Sequence, residues 1–309
     1  MKPSDVFKFL GALAAAVVLL VLLVVRVTTG KGPEPPGRQA APPPVAIAPA
    51  PKPGGPDCWN ARGWERAARL NAASLKTMRW APFGRPERGW EIYLPMIQQT
   101  VGAACPADSP GFAAALAAWQ GDQRLFPNGV VSPEAFQHMK GAAQQKRIFV
   151  RMATRGACPA AASEARLTAN RPGEGYSGKQ VQLRPGAFAA YRAMVEAAKA
   201  ESPEIAADDR NLTIFSAYRS PSYDAARCAR DGNCNGIVRA RCSPHRTGLA
   251  MDLYVGQAPG YGPDSTADPN RLYMTRTPTY RWLVANAHRF GFVNYPFEPW
   301  HWEWTGETP

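Results

Sequence analysis

The most continuous hydrophobic stretch lies near the start of the chain. Residues 9–25 form an unbroken apolar run that follows Lys2 and Lys8. Seventeen residues at about 1.5 Å each span roughly 26 Å, the short end of a membrane-spanning helix. The run ends at Arg26, without the small-residue site at which signal peptides are cleaved. This pattern favours an uncleaved membrane anchor over residues 1–30, and a cleaved signal peptide is the alternative.

A proline-rich pattern follows the apolar run. Ten of the 27 residues at positions 31–57 are proline. Such a composition favours an extended, semi-rigid spacer of about 3.1 Å per residue, or roughly 80 Å in total. We therefore predict a linker that holds the later domains away from the membrane. An inert disordered tether would have the same composition.

Helical periodicity dominates residues 58–150. Phe112, Leu116 and Trp119 recur at the spacing of one apolar helix face. Gly129 marks a turn, and Ser132 followed by proline is typical of a helix start. The pattern predicts an all-α module. The order of helix, short loop and serine-started helix resembles peptidoglycan-binding domains of the three-helix type, and a plain helical packing module is the alternative.

Helix and strand patterns alternate over residues 156–309, which we predict to be an α+β domain. Three apolar or alternating runs predict strands, at 211–220, 248–255 and 292–304. Two helices are predicted, each with a proline near its start. One begins after Pro185, and the other runs from Thr277 to Gly291. The first of these helices carries a stripe that we assign to the core: Phe188, Tyr191, Met194, Val195 and Ala198.

Charge and cysteine content narrow the choice of partner and compartment. The net charge of +12 favours binding to an anionic partner. No run of five or six basic residues occurs, which argues against nucleic acid. All six cysteines lie after residue 57, and an even number favours two or three disulfides in the periplasm or outside the cell. Six cysteines permit 15 pairings, and buried free thiols are the alternative.

Two of the four histidines stand near carboxylates in the C-terminal third of the chain. Two imidazoles, one carboxylate and an open fourth position make up a hydrolytic zinc centre. We predict that His245, Asp252 and His301 hold one zinc ion. Strand alternation places Glu303 on the side of His301, at the edge of the site. Glu298 precedes a proline that predicts a bend, which would bring its carboxylate back as a general base.

Four motifs occur in order along this region. They are SxYRS at 216–220, SxHxxGxAxD at 243–252, WLxxNAxxxGF at 282–292 and EPWHxE at 298–303. Together they resemble VanY-like D-alanyl-D-alanine carboxypeptidases, zinc peptidases of the group that shares a fold with lysostaphin and the Hedgehog signalling domain. The resemblance spans roughly residues 160–309. It implies a small antiparallel sheet with flanking helices that carries the zinc site.

The resemblance also implies individual roles. It implies three zinc ligands: His245, Asp252 and His301. Glu298 would be the catalytic acid and base, and Arg219 would stabilise the transition state or hold a substrate carboxylate. Ser243 matches a position that often helps to hold the substrate terminus. We predict that Tyr218 and Trp300 line the same substrate site.

The substrate implied is the peptidoglycan stem peptide, cleaved at its D-Ala-D-Ala bond. An endopeptidase for cross-links with the same chemistry and a non-catalytic wall-binding protein are the alternatives. The sequence departs from the pattern after Arg219, where relatives often carry a glutamine and this chain has none. A loop with Cys228 and Cys234 stands there instead, followed by Cys242. We hypothesise that a disulfide stiffens this loop at the rim of the site.

Overall fold

A computed structural model describes residues 56–232 and 242–309, and all of these belong to one compact unit. The predicted anchor at 1–30 and all but the last residues of the predicted linker at 31–57 lie outside the described residues. Among the described helices, none has both the length and the apolar character needed to cross a membrane.

The N-terminal part of the unit is mainly helical. Its helices are α1 (Glu65–Ser74), α2 (Leu94–Val101), α3 (Pro110–Asp122), α4 (Pro133–Gln144) and α5 (Ile148–Ala153). The predicted serine start of α4 is confirmed, because the Ser132 side chain accepts a hydrogen bond from the backbone N–H of Ala135. Phe112 and Leu116 on α3 are fully buried, as the helical spacing predicted.

The prediction of an all-α module was wrong in one detail. Two strands, β1 (Arg79–Trp80) and β2 (Glu87–Arg88), pair as an antiparallel hairpin. Strands of two residues are too short to show the alternation by which strands are recognised in a sequence. We refer to residues 58–153, including this hairpin, as the helical module.

The C-terminal part combines helices with short strands. Its helices are α6 (Pro185–Glu201), α7 (Pro203–Ala206), α8 (Pro221–Arg230), α9 (Asp268–Arg276) and α10 (Pro278–Asn286). A small hairpin pairs β3 (Thr168–Ala169) with β4 (Gln182–Leu183). The main sheet consists of β5 (Ile214–Ser216), β6 (Ala250–Leu253), β7 (Phe292–Tyr295) and β8 (Glu298–Trp304). These strands lie in the order β5-β6-β8-β7, and every pair is antiparallel.

Two strand predictions needed correction. The single strand expected at 292–304 is a hairpin of β7 and β8, because the aromatic run continues through the turn between them. The strand expected at 211–220 is reduced to β5. Leu212 has a φ of +67°, a left-handed conformation that no extended strand adopts.

The two helices predicted in this part are present, as α6 and α10. Four of the five residues assigned to the core stripe of α6 are buried: Phe188, Tyr191, Met194 and Ala198. The side chain of Thr277 caps α10, and a 3₁₀ turn, Ala287–Phe290, extends that helix to Gly291. These helices pack on the main sheet and form one core with Met251, Leu253, Trp300 and Trp302.

For two disulfides, both cysteines lie among the described residues. They join Cys58 to Cys105 and Cys158 to Cys242, with sequence separations of 47 and 84 residues. Cys228 is also disulfide-bonded, whereas Cys234 lies outside the described residues. We hypothesised that a disulfide stiffens the loop after Arg219. That Cys234 takes part in it stays a prediction. Cys242, next to Ser243, is tied to Cys158 instead.

Candidate active site

The sheet places a histidine and an aspartate side by side. Asp252 on β6 and His301 on β8 are direct partners in the antiparallel register. His245 comes from the 3₁₀ turn Pro244–Thr247, just before β6. Gly248 ends that turn at a φ of +69°, and a Cβ there would lie 2.7 Å from the Leu167 side chain. Because only glycine fits this reversal, it fixes how His245 returns to the sheet.

Three donor atoms from these residues converge. His301 Nδ1 lies 2.9 Å from Asp252 Oδ1, and His245 Nε2 lies 3.2 Å from both of them. A tetrahedral zinc ion with bonds of about 2.0–2.1 Å separates its ligand atoms by roughly 3.3 Å. All three residues are buried, and they are a candidate metal-binding group. The donor types and their spacing therefore fit a zinc ion.

The second nitrogen of each imidazole has its own partner. His245 Nδ1 donates to the backbone carbonyl of Ala217 at 2.7 Å. His301 Nε2 donates to Glu303 Oε1 at 3.2 Å. Each hydrogen bond leaves the opposite nitrogen facing the point of convergence, which is how the partner groups of metal-bound histidines set the tautomer. Glu303 thus lies where strand alternation predicted it.

A guanidinium from the helical module contacts Glu303, which the sequence did not predict. Arg147 Nε donates to Glu303 Oε1 at 2.7 Å, and both side chains are almost fully buried. The Arg147 guanidinium also lies 4.5 Å from the Tyr295 ring centre, and Tyr295 meets His301 edge-on. In the sequence, Arg147 follows Lys146 and looks like any surface cation. No local signal marks it as part of the site.

The charges around the two histidines differ. Burial and the nearby Arg219 lower the pKa of His245 to about 4. Burial alone would also lower the pKa of His301, but hydrogen bonds with Asp252 and Glu303 raise it to about 9. Burial acts to raise the pKa of Asp252, yet the two histidines hold it well below its ordinary value. In the ion-free protein, His301 therefore carries a proton near Asp252.

Glu298 lies at the start of β8, beside these groups. The register of β7 and β8 shifts between Asn294 and Tyr295, which is the irregularity that Pro299 predicted. As a result, Glu298 and His301 line the same cleft although they are three residues apart. Burial raises the pKa of Glu298 above its ordinary value. A raised carboxyl pKa suits a group that must both take up and release a proton.

Arg219 is held in place by three side chains. Its Nε donates to Asp224 at 2.8 Å, Nη1 to Ser216 at 2.7 Å and Nη2 to Ser243 at 3.1 Å. Nη1 also lies 3.6 Å from Asp252 Oδ2. The side chain keeps 17% of its surface exposed, so it still faces the cleft.

The three residues predicted to bind substrate all line the cleft, in different ways. Ser243 is buried, and its hydroxyl accepts from Arg219 and from the backbone of His245, which makes it a support for both. Tyr218 is half-buried, and its hydroxyl is 3.4 Å from the carbonyl of Ala162. Trp300 is buried and belongs to the core beneath the site. Their contact with substrate stays a prediction.

The cleft above the site has a volume of about 1410 Å³. Small-molecule sites are usually about 300–1,000 Å³, so this cleft can hold a longer chain. Its walls come from both parts of the unit. The helical module contributes Phe83, Lys140, Gln144 and Arg147, and the C-terminal part contributes Tyr176, Lys179 and Tyr223.

Comparison with known proteins identifies one family. Residues 180–307 match the family model VanY, described as D-alanyl-D-alanine carboxypeptidase. This match confirms the predicted resemblance over that segment. A search of curated proteins finds no match.

Two solved structures are similar to parts of the chain. One is the LdcB LD-carboxypeptidase, whose structure is described as revealing the molecular basis of peptidoglycan recognition. It is 23% identical over 47% of this chain and 70% of that chain, with a TM-score of 0.34. The other is a zinc(II) complex of a mutant of the vancomycin-resistance D,D-pentapeptidase VanY. It is 20% identical over 49% of this chain and 85% of that chain, with a TM-score of 0.29.

Proposed function

Since residues 180–307 match the VanY family of D-alanyl-D-alanine carboxypeptidases, we propose that this chain is a zinc-dependent peptidase of peptidoglycan stem peptides. The bond cleaved is the terminal D-Ala-D-Ala amide. The observation that carries the proposal is the convergence of His245, Asp252 and His301 in the same cleft as Glu298.

His245, Asp252 and His301 would hold one zinc ion through Nε2, Oδ1 and Nδ1. When bound, zinc lowers the pKa of a coordinated water to about 7 and polarises the amide carbonyl. Glu298 takes a proton from water at its carboxylate as oxygen adds to the carbonyl carbon. It then passes that proton to the amide nitrogen as the C–N bond breaks, which releases D-alanine with a free amine.

Arg219 supplies positive charge to the same step. Its guanidinium is fixed by Asp224, Ser216 and Ser243, so little reorganisation is needed when negative charge develops on the substrate oxygen. It is equally suited to hold the terminal carboxylate of the substrate. Ser243 acts here through Arg219.

The test is mass spectrometry of defined muropeptides incubated with the full chain and zinc. Wild type is expected to remove one terminal alanine. Glu298→Gln should lose about 10²- to 10⁴-fold in rate while retaining zinc. Glu204→Gln is the control, because that exposed carboxylate bonds only to Ser202 and to its own backbone N–H among the described contacts. Wild type that binds zinc but changes no muropeptide would refute the proposal.

The open cleft favours one second candidate, hydrolysis of a peptidoglycan cross-link. A cleft of about 1410 Å³ with walls from both parts of the unit could admit peptide on both sides of the scissile bond. The same incubation separates the two activities. A carboxypeptidase shortens uncross-linked pentapeptides, whereas an endopeptidase converts cross-linked dimers to monomers.

A further inference from the structure

One buried contact crosses from the helical module to the candidate metal site. Arg147 lies between α4 and α5, and Glu303 lies on β8, 156 residues later in the chain. The guanidinium donates to Glu303 Oε1 through both Nε and Nη2. The same oxygen accepts from His301 Nε2. A single carboxylate oxygen therefore joins the arginine to a candidate zinc ligand.

We propose that Arg147 is a positioning residue of the metal site, which fixes the ring of His301 through Glu303. This inference rests on the proposed zinc-dependent function. It also gives the helical module a role in the catalytic centre, in addition to forming a wall of the cleft.

Several contacts restrain this arrangement. Gln144 on α4 accepts from Arg147 Nη1 at 2.6 Å, so the guanidinium is held on its other side as well. The Arg147 guanidinium covers the Tyr295 ring, and that ring meets His301. On the neighbouring strand β7, Asn294 donates to the backbone carbonyl of His301 at 2.9 Å. Both the ring and the backbone of His301 are therefore positioned.

The chemistry of the two side chains explains why an arginine is needed. A buried carboxylate must be paired, and guanidinium is charged at every accessible pH. Pairing with Arg147 keeps Glu303 an acceptor, so that His301 Nε2 donates and Nδ1 faces the ion. Loss of such an outer partner usually weakens metal affinity or activity by about 10- to 100-fold. A purely structural ion pair would not change metal affinity.

The chain offers a matched control for this contact. Arg192 pairs with Glu174 through Nε at 2.6 Å and Nη2 at 3.0 Å, and it also covers an aromatic ring, Phe188, at 4.9 Å. This pair is partly buried and lies in the C-terminal part. Arg192 has no described contact with the metal-site residues. Arg192→Met therefore removes a similar arginine–glutamate pair at a position without described contact with the metal-site residues.

The experiment measures the zinc dissociation constant of the full chain by competition with a chromogenic chelator. Arg147→Met is expected to weaken binding about 10- to 100-fold. Arg147→Lys should restore part of the loss, since a single ammonium cannot reproduce the two N–H bonds. Arg192→Met should leave the constant unchanged. Circular dichroism of each variant confirms that it is folded.

The double variant Arg147→Met/Glu303→Gln keeps the proposal testable if Arg147→Met does not fold, because it leaves no buried charge unpaired. If Arg147 acts through Glu303, the double variant binds zinc as Glu303→Gln does. A further loss of about tenfold in the double variant, or unchanged affinity in Arg147→Met, would overturn the inference. Wild type that bound no zinc would instead overturn the proposed function.

Discussion

His245 and His301 reach the same point from two regions that are stabilised differently. The turn that carries His245 is held by contacts within the C-terminal part: the Ser243 cap, the reversal at Gly248, the carbonyl of Ala217 and the buried Arg184, which donates to the Thr247 carbonyl at 2.8 Å. The strand that carries His301 is held by charged side chains from distant parts of the chain, led by Arg147 through Glu303. One candidate ligand is held from within the C-terminal part, and the other also depends on a buried charged side chain of the helical module.

A second buried network supports the start of β8. Arg271 on α9 donates to the carbonyl of Phe297 at 2.8 Å, directly before Glu298. It also bonds Glu87 and the Tyr93 hydroxyl in the helical module. Both anchors of β8 thus reach into that module, and the turn of His245 has no comparable link among the described contacts. The comparison indicates that damage to the module affects His301 and Glu298 before it affects His245.

The largest expected effect is the loss of unfolding free energy when the buried pair of Arg147 and Glu303 is broken. Glu303→Ala leaves the buried guanidinium of Arg147 without its partner, and removing one member of a buried pair costs about 3–5 kcal/mol. Urea denaturation of the metal-free protein measures the loss. Glu174→Ala is the control and should cost less, because that pair is partly exposed. Equal losses of unfolding free energy in the two variants would show that the deeper burial of the pair of Arg147 and Glu303 has no effect on its contribution.

The next effect concerns the turn of His245. The disulfide between Cys158 and Cys242 closes a long loop just before this turn. Replacing both cysteines by serine should cost about 2–4 kcal/mol in unfolding free energy. Zinc affinity should fall less than in Glu303→Ala, since Ala217 and Gly248 still direct His245. A larger fall in zinc affinity than in Glu303→Ala would contradict the comparison.

The pH dependence of zinc binding sharpens the comparison further. The pKa of His301 is raised to about 9 from 6.5 in the metal-free fold. This protonation stabilises the metal-free fold fully below pH 6.5, and the contribution is lost as the pH rises to about 9. Zinc must displace that proton, so its apparent affinity should rise about tenfold per pH unit up to about pH 7, above which a zinc-bound water also begins to lose a proton.

Calorimetry checks this prediction at about pH 6, where a zinc-bound water with a pKa of about 7 keeps its protons. Zinc is titrated in two buffers that differ in protonation enthalpy, and the difference should correspond to release of about one proton from His301. The pKa of His245 is lowered to about 4, so His245 should release none. Heats that do not depend on the buffer would show that His301 is already neutral.

The smallest effect concerns Ser243. Ser243→Ala removes the cap of the 3₁₀ turn and one partner of Arg219. Loss of such a cap costs about 0.5–2 kcal/mol, and urea denaturation should show it. If Ser243 acts through Arg219, kcat should fall while KM changes little. A rise in KM alone would instead favour a role in substrate binding, through Ser243 itself or through Arg219 at the substrate carboxylate.

The sequence predicted the parts of the site that depend on short spacing. His301 and Glu303 share a side of one strand, so alternation was sufficient to place them together. The grouping of His245 and Asp252 followed from the motif and its resemblance to a family. The α+β pattern and the starts of α4, α6 and α10 were also readable, because the capping hydroxyl and the proline at a helix start act locally.

The remainder depends on contacts between residues far apart in the chain. Arg147 and Glu303 are 156 positions apart, and Arg271 and Glu87 are 184 apart. A buried arginine has the same sequence appearance as an exposed one, so neither pair could be inferred. The β7–β8 turn was missed for a different reason, since its residues continue the aromatic pattern of the flanking strands. Whether the module and the C-terminal part are separate domains stays a prediction.

The strand order β5-β6-β8-β7 has a consequence for biosynthesis. β8 occupies an interior position in the sheet, between two strands that are made before it. It carries His301 and Glu298, so the chain must be synthesised at least as far as His301 before the three candidate ligands can meet. Until then the nascent polypeptide holds only His245 and Asp252, which is too few donors to retain an ion. The candidate metal site can therefore form only once β8 lies between β6 and β7.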